Sequence, residues 1–566
     1  MSFPNPSTAL ATTVIDELVR GGVGLVVAAP GSRSTALVLA VAARADLQLV
    51  VAIDERSAGF HALGWAKATG RPAAVLTTSG TAVANLMPSV VEADAAGVAL
   101  VVLSADRPPE MRGVGANQTI DQPGLFGSFV RGTVVLGPAE HEPSAPRWWR
   151  SMMSQALAAA TGWNGRPGPV QVDIAFREPT VGVTDDGRTA AEPYLFTQVG
   201  RREARQWTET ATRRHPTGEV VERIGEAVAH STRGLILAGT GSTSAVAELG
   251  VHLGWPVVAT AESGLRRMAG VVTAGHHLLA SEMANPDMVL RFGGPGPSRR
   301  LIDLVSGDIH QVVVGDNWSD PGRMADLLVD ADPDALVGEL TESVPAGEGG
   351  DWHAWWSAAE AAVRGALEPE LQGLSEPAVA FQTARLATDR LVVASSMPIR
   401  DVECYAFEAP TLIANRGASG IDGIVSTALG AATGTGPGVA FIGDLSLLHD
   451  SNGFLTSPRS ECVFVVIDNS GGGIFSFLPQ AEHVGDDFER LFATPPDRDL
   501  AVLADFHGLD YRVVERGEEL AEAVVESQNS GGCSLVVVRT DRNANVAEHR
   551  RLERVASAAL GNLSAP

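Results

Sequence analysis

A chain of 566 residues is too long for one hydrophobic core, and its length suggests three or four domains. With 45% hydrophobic and 19% charged residues it reads as soluble and globular, and a net charge of -25 argues against nucleic acid as a partner, because a phosphate backbone requires a basic face. No apolar stretch approaches the roughly 20 residues of a membrane span.

The N-terminus, Met1-Ser2-Phe3-Pro4-Asn5-Pro6, has neither the basic start nor the apolar run of a signal peptide. Three scattered cysteines, Cys404, Cys462 and Cys533, fit a reducing compartment, so a cytoplasmic location is expected. A first helix is predicted with Ser7 or Thr8 as its cap, a stripe of Leu10, Val14, Leu18 and Val19, and Gly21-Gly22 at its end. Strands are expected next over 25–29, 47–53, 73–77 and 98–103, separated by helical stretches, which implies a parallel sheet with right-handed crossovers. After each strand comes a polar loop: Pro30-Gly31-Ser32-Arg33, Asp54-Glu55-Arg56, Thr78-Ser79-Gly80-Thr81 and Ser104-Ala105-Asp106-Arg107. All lie along the carboxyl edge, where open α/β sheets bind ligands.

A charged, proline-containing linker is expected over 186–216, closing a first domain of 1–185. A second α/β pattern occupies 217–345, with strands near 234–238, 256–260, 287–292 and 311–314. Its Gly239-Thr240-Gly241 is half of a dinucleotide fingerprint, but position 244 is Ser, so a structural domain is expected. His276-His277 reads as two ordinary loop histidines. Beyond the glycine-rich break at 345–350, Trp352, Trp355 and Trp356 open a helix as packing residues. The third segment, 346–566, has strands near 391–394, 411–414, 439–442 and 463–467, and a tail strand over 534–539 expected to close the sheet.

Two of these strands end in oxygen ligands beside glycine. Phe441-Ile442-Gly443-Asp444-Leu445 is followed by Val466-Ile467-Asp468-Asn469-Ser470-Gly471-Gly472-Gly473. A hard divalent cation prefers oxygens and keeps several positions for diphosphate and water. Asp444, Asn469 and the Gly471 carbonyl can supply three, while the glycines let backbone approach a phosphate closely.

This pattern resembles the signature of thiamine diphosphate-dependent enzymes, from which it departs at Leu445 and Asp468. Asp54-Glu55-Arg56-Ser57-Ala58-Gly59-Phe60 is similar to that family's pyrimidine segment, where a carboxyl group shares a proton with a ring nitrogen of the coenzyme. The resemblance implies three doubly wound α/β domains, which are pyrimidine-binding, central and diphosphate-binding, with thiamine diphosphate held through Mg²⁺ or Mn²⁺. It extends to the branch that joins 2-oxoglutarate to isochorismate in menaquinone biosynthesis, through Ser32-Arg33, Asn117-Gln118, Ser396 to Arg400, Asn415-Arg416-Gly417 and Gly473 to Pro479.

By that resemblance Glu55 is catalytic, Asp444, Asn469 and Gly471 hold the metal, and Gly443, Leu445, Ser446, Gly472, Ile474, Phe475 and Leu478 line the coenzyme. Ile421 is the apolar wedge that bends it. Ser396 and Arg400 are expected on the succinyl carboxylate; Arg33, Arg107 and Arg416 on isochorismate; Ser32 on the substrates; Asn117 and Gln118 hydrogen-bonding the adduct; and Arg300, or equally Arg299, reaching in from the central domain. Arginine suits this task because its planar fork binds carboxylates bidentately. The resemblance also implies a homodimer at minimum, and a homotetramer usually, with active sites at the subunit interface. A carboligase of the acetolactate synthase type, a catalytically silent, cofactor-binding homologue and a dinucleotide-binding oxidoreductase are the alternatives; Glu55 argues against the second and the incomplete fingerprint at Gly239 against the third.

Overall fold

The computed structural model describes residues 2–3, 5–140, 142, 144–163, 165–181, 194–195, 200–211 and 214–564. Positions 186–193, 196–199 and 212–213 of the expected linker lie outside the described residues. Among the described residues, three α/β layers each carry a sheet of six or seven strands, and Ser2–Phe3 pairs separately with Tyr194–Leu195.

The first sheet runs in the order Thr456–Ser457, Gln48–Ala52, Leu25–Ala29, Ala73–Thr77, Leu100–Asp106, Val170–Ala175, Thr133–Leu136. All its pairings are parallel except that of Thr456–Ser457, which lies antiparallel to Gln48–Ala52 with Ser457 opposite Val51. Four of the strands are buried along their whole length, as a sheet covered by helices on both faces requires. Val26 and Ala28 pack with Leu10, Val14 and Leu18 of helix Pro6–Arg20. Leu25 and Val27 point the other way, toward Phe60 and Leu63 of helix Glu55–Thr69. The cap of Pro6–Arg20 is Asn5 rather than Ser7 or Thr8: its Oδ1 accepts from Thr8 N at 2.8 Å, and Pro6 takes the first helical position, where no N–H is needed.

The second sheet has the order Val271–Val272, Val257–Ala259, Gly234–Ala238, Met288–Phe292, His310–Val314, Leu327–Val329, and the third Thr411–Ile413, Arg390–Val393, Gly438–Gly443, Cys462–Asp468, Cys533–Arg539, Asp510–Val514. Both are parallel throughout. The tail strand therefore does not close the third sheet; Asp510–Val514, polar and largely uncovered, takes the edge.

By contacts the chain forms two compact units. One comprises Met1–Thr212, Asn415–Pro437 and Leu448–Glu461; the other Arg213–Ala414, Gly438–Leu447 and Cys462–Pro566. Within the first unit, helix Ile424–Thr435 lies against helix Glu55–Thr69 through facing glycines. A Cβ at Gly64 would fall 2.1 Å from the Thr427 carbonyl oxygen, and one at Gly430 2.0 Å from that of His61. The fully buried His61 ring lies 2.9 Å from Thr433 Oγ1, and burial pulls its pKa down to about 4, so it packs as neutral imidazole.

In the second unit the three tryptophans of helix Gly350–Leu367 are buried as packing residues, with Trp352 Nε1 donating to the Gly234 carbonyl at 2.9 Å. The histidine pair is not in a loop. It forms most of the short helix Gly275–Leu278, where buried His277 donates to the Cys404 carbonyl at 2.9 Å.

Candidate active site

In the second unit, strands Gly438–Gly443 and Cys462–Asp468 run side by side, Gly443 opposite Ile467, and so bring Asp444 and Asn469 out at one edge of the sheet. Asp444 opens the short helix Asp444–His449 and is buried. Its Oδ1 accepts from Leu445 N and its Oδ2 from Gly471 N, both at 2.7 Å. Burial nevertheless dominates and pushes its carboxyl up to about 6. Asn469, also buried, donates through Nδ2 to Glu376 Oε1 at 2.9 Å, and Thr540 Oγ1 donates to the same oxygen at 2.9 Å. That arrangement aims Asn469 Oδ1 away, buried and without a hydrogen-bond donor.

Gly471 has φ +122, and a Cβ there would fall 2.1 Å from the Ala493 carbonyl oxygen; one at Gly473 would lie 2.5 Å from Asn469 Nδ2. Gly472 N donates to that same Ala493 carbonyl at 2.7 Å. The chain continues into the turn Gly473–Phe477, where Phe475 meets Phe492 edge-on at 5.7 Å, Ile474 is half-buried and Leu478 exposed. Ser446 is buried beside half-buried Gly443 and Leu445. Among the described residues no three His, Cys, Asp or Glu side chains converge on a point. A cation here would rest on one carboxylate, one amide oxygen and a carbonyl. An orphaned buried oxygen next to a glycine-lined turn fits a hard cation carrying a diphosphate.

Ser396 precedes helix Met397–Tyr405, and Arg400 folds back one turn, donating to the Ser396 carbonyl at 2.6 Å and that of Ser395 at 3.3 Å. Of the two central-domain arginines, Arg299 is 83% exposed and pairs with Asp303, whereas Arg300 donates to the His276 carbonyl at 3.1 Å and lies 3.5 Å from Glu553.

In the first unit, Glu55 is the opening residue of its helix, and Asp54 caps it by accepting from the N–H groups of Arg56 and Ser57. Asn452 Nδ2 donates to the other Asp54 oxygen at 2.9 Å, and Arg56 to the His449 carbonyl at 2.8 Å. Half-buried Glu55 receives Asn85 Nδ2 at 3.2 Å.

Arg33 and Arg107 are both buried. Arg33 donates to the Phe176 carbonyl at 2.9 Å and lies 3.2 Å from Glu178. Arg107 donates to Ser79 Oγ at 3.1 Å; Ser79 Oγ donates to the Gln118 carbonyl, and Gln118 Nε2 to that of Ser79, both at 2.9 Å. Ser79 thus joins Arg107 to Gln118, whose backbone is left-handed at φ 54. Burial, then the nearby charge of Arg107, holds the Arg33 guanidinium below its ordinary pKa. Ser32 and Asn117 are exposed, Arg416 is half-buried, and Ile421 presents its side chain to solvent at 41% exposure.

Sequence reasoning missed the acids beneath the arginines. Buried Asp106 accepts from Arg107 N at 2.7 Å and from Arg112. Buried Asp173, on the adjacent strand, accepts from Ser104 Oγ at 2.8 Å and Gln122 Nε2 at 3.0 Å. Burial, then the charge of Asp106, pushes Asp173 up to about 7. The available signal was Asp173 itself, an acid inside the otherwise apolar run Val170-Gln171-Val172-Asp173-Ile174-Ala175.

Residues 8–125 match the model of the thiamine pyrophosphate enzyme N-terminal TPP binding domain, and residues 401–538 that of the C-terminal TPP binding domain. A putative thiamin diphosphate-dependent enzyme from Mycobacterium smegmatis superposes with a TM-score of 0.68 at 19% identity, covering 94% of this chain and 99% of that one. Benzoylformate decarboxylase from Polynucleobacter necessarius gives 0.71 at 17% identity over 96% and 99%. Sheets, strand-end oxygens and domain matches together define a thiamine diphosphate enzyme. Proteins named 2-succinyl-5-enolpyruvyl-6-hydroxy-3-cyclohexene-1-carboxylate synthase from Thermobifida fusca and Geobacillus kaustophilus are 41% and 40% identical, the first over 98% of this chain and 100% of the relative, the second over 96% of each. The chain belongs to this synthase family. Among the described residues no helix is long and apolar enough to cross a membrane.

Proposed function

We infer that the protein decarboxylates 2-oxoglutarate and adds the resulting succinyl unit to isochorismate, releasing CO₂ and 2-succinyl-5-enolpyruvyl-6-hydroxy-3-cyclohexene-1-carboxylate. The observation that carries this reading is the similarity to the synthases over nearly the whole chain. The arginines supply its physical sense. Both substrates are dicarboxylates, and three carboxylates remain after CO₂ leaves, so a chain of net charge -25 can hold them only with local cations. Arg33, Arg107 and Arg416 would bind isochorismate, with Ser32 on the substrates and Asn117 and Gln118 hydrogen-bonding the adduct; Ser396 and Arg400 would bind the succinyl carboxylate, with Arg300, or equally Arg299, reaching in from the central domain.

Asp444, Asn469 and the Gly471 carbonyl would hold Mg²⁺ or Mn²⁺, and Gly443, Leu445, Ser446, Gly472 and Ile474 would surround the diphosphate and thiazolium, with Ile421 wedged against them. Bound thiamine diphosphate supplies a nucleophilic carbon and an electron sink for the decarboxylation. Glu55 would move one proton to and from the pyrimidine ring. Phe475 and Leu478 would exclude water from the site and so limit protonation that competes with the addition to isochorismate. We place the pyrimidine-binding, central and diphosphate-binding domains at 1–185, 217–345 and 346–566 in a cytoplasmic homodimer or homotetramer with shared active sites.

The test is CO₂ release from 2-oxoglutarate with and without isochorismate. Full turnover is expected only with both. Glu55→Gln should abolish it while the metal-diphosphate end of the coenzyme still binds, and a variant with ordinary rates would refute the assignment.

A further inference from the structure

Buried acids outside the substrate arginines need a reason to be there, and Glu92 on helix Met87–Ala96 is one, at 2% exposure. Both of its oxygens are used. Oε1 accepts from Lys67 Nζ at 2.8 Å and from Gly417 N at 3.1 Å; Oε2 accepts from Ala418 N at 2.6 Å. Lys67 also donates to Asn415 Oδ1 at 3.3 Å. Two consecutive backbone N–H groups make a small anion-binding concavity, and here a carboxylate of the same chain fills it. A buried carboxylate persists only when paired and hydrogen-bonded, and one ammonium with two amides meets that need.

The segment gripped in this way is Asn415 to Gly423. Arg416 lies immediately before the two gripped amides, and Ile421 three residues after them. The segment has little regular structure of its own; Ser419 and Gly423 are left-handed at φ 61 and 68. Gly417 is pressed so closely onto the helix that a Cβ would lie 2.8 Å from Ala96 N. Lys67 sits near the end of the helix that begins with Glu55. The same helix therefore carries the proposed proton-transfer group at its start and the anchor of the Arg416 segment near its end.

We propose that Glu92, supported by Lys67, is a positioning residue that sets Arg416 for isochorismate. It touches no substrate and acts through the Gly417 and Ala418 amides. The inference rests on the proposed synthase reaction. Gln at position 92 keeps one acceptor but turns an amide NH₂ toward groups that are themselves donors.

The test is steady-state kinetics of the holoenzyme with each substrate varied in turn, for wild type, Glu92→Gln, Lys67→Met, Arg416→Ala and Glu92→Gln/Arg416→Ala. Glu92→Gln should raise the isochorismate KM by about tenfold or more, the scale of a lost hydrogen bond to a charged group, with the 2-oxoglutarate KM within about twofold. The double variant should be no worse than Arg416→Ala alone, because both substitutions remove one interaction. Lys67→Met, which leaves both amide bonds in place, should move the isochorismate KM in the same direction by less. An unchanged isochorismate KM in Glu92→Gln, or losses that multiply in the double variant, overturns the proposal. Should Glu92→Gln not fold, an unchanged isochorismate KM in Lys67→Met does so. Failure of the synthase reading is distinct, since wild type itself would then release no CO₂. In that event amide exchange at Gly417 and Ala418, slow in wild type and fast in Glu92→Gln, still supports the grip, and equal rates reject it.

Discussion

Asn469 uses the two ends of its amide differently. Its Nδ2 is fixed by Glu376, and its buried Oδ1, which accepts no hydrogen bond, is the oxygen proposed above for the metal. Ligand-orienting partners of this kind commonly contribute about 10–100-fold to metal affinity. Glu376→Ala should therefore raise the Mg²⁺ concentration needed for coenzyme binding by about that factor, read from tryptophan fluorescence titration, and an unchanged titration would reject the pairing. Arg400→Ala should raise the KM for 2-oxoglutarate more than that for isochorismate; an equal rise would undo its assignment. Asp173 gives a pH prediction. Its pKa is about 7 in the folded chain against an ordinary 3.8, so the native state holds the extra proton between those values. Its contribution is complete below 3.8 and is lost as pH rises through 7. Asp173→Asn cannot titrate, so its melting temperature relative to wild type should be higher at pH 8 than at pH 5, by about 2 °C or more. A difference independent of pH would show that Asp173 carries no perturbed proton.

Among the elements, the two glycine-faced helices have no room for an added side-chain atom at their contact. A methyl group at Gly64 meets backbone rather than a movable side chain, so Gly64→Ala should cost about 1–3 kcal/mol, visible as earlier unfolding in a denaturant titration. Retained stability would mean that the helices can separate freely. Elements of this kind also show how much of the fold was legible in the sequence. Continuous apolar runs placed Leu25–Ala29, Ala73–Thr77 and Gly234–Ala238 to the residue, because burial on both faces leaves no alternation to misread. Thr133–Leu136 and Asp510–Val514 escaped notice because they are edge strands with half-exposed, partly polar residues. Val170–Ala175 escaped because Gln171 and Asp173 interrupt it, and their burial is explained by partners roughly 50 or more residues away, namely Gln122 and Ser104. Strand ends beside glycine were readable as candidate ligands from local pattern alone. The carboxylates beneath Arg107 and the grip of Glu92 were not, since each depends on chain segments that meet only after folding.

For the whole molecule, the proposed sharing of active sites between subunits has a direct assay. Glu55→Gln and Asp444→Ala, each inactive alone, should regain activity when unfolded and refolded together, because a hybrid dimer would contain one intact Glu55–Asp444 site. Random mixing gives about a quarter of wild-type activity, and none would be regained if each chain served itself. A different consequence attaches to Thr456–Ser457, which borders Gln48–Ala52 in the first sheet, and to helix Ile424–Thr435, which covers Glu55–Thr69. The amino-terminal layer emerges from the ribosome long before these segments exist. Until residue 461 has been synthesised, a nascent chain must keep an unpaired sheet border and an uncovered glycine groove in solution, and in that interval it is most open to chaperone capture or to aggregation with its neighbours on the same messenger.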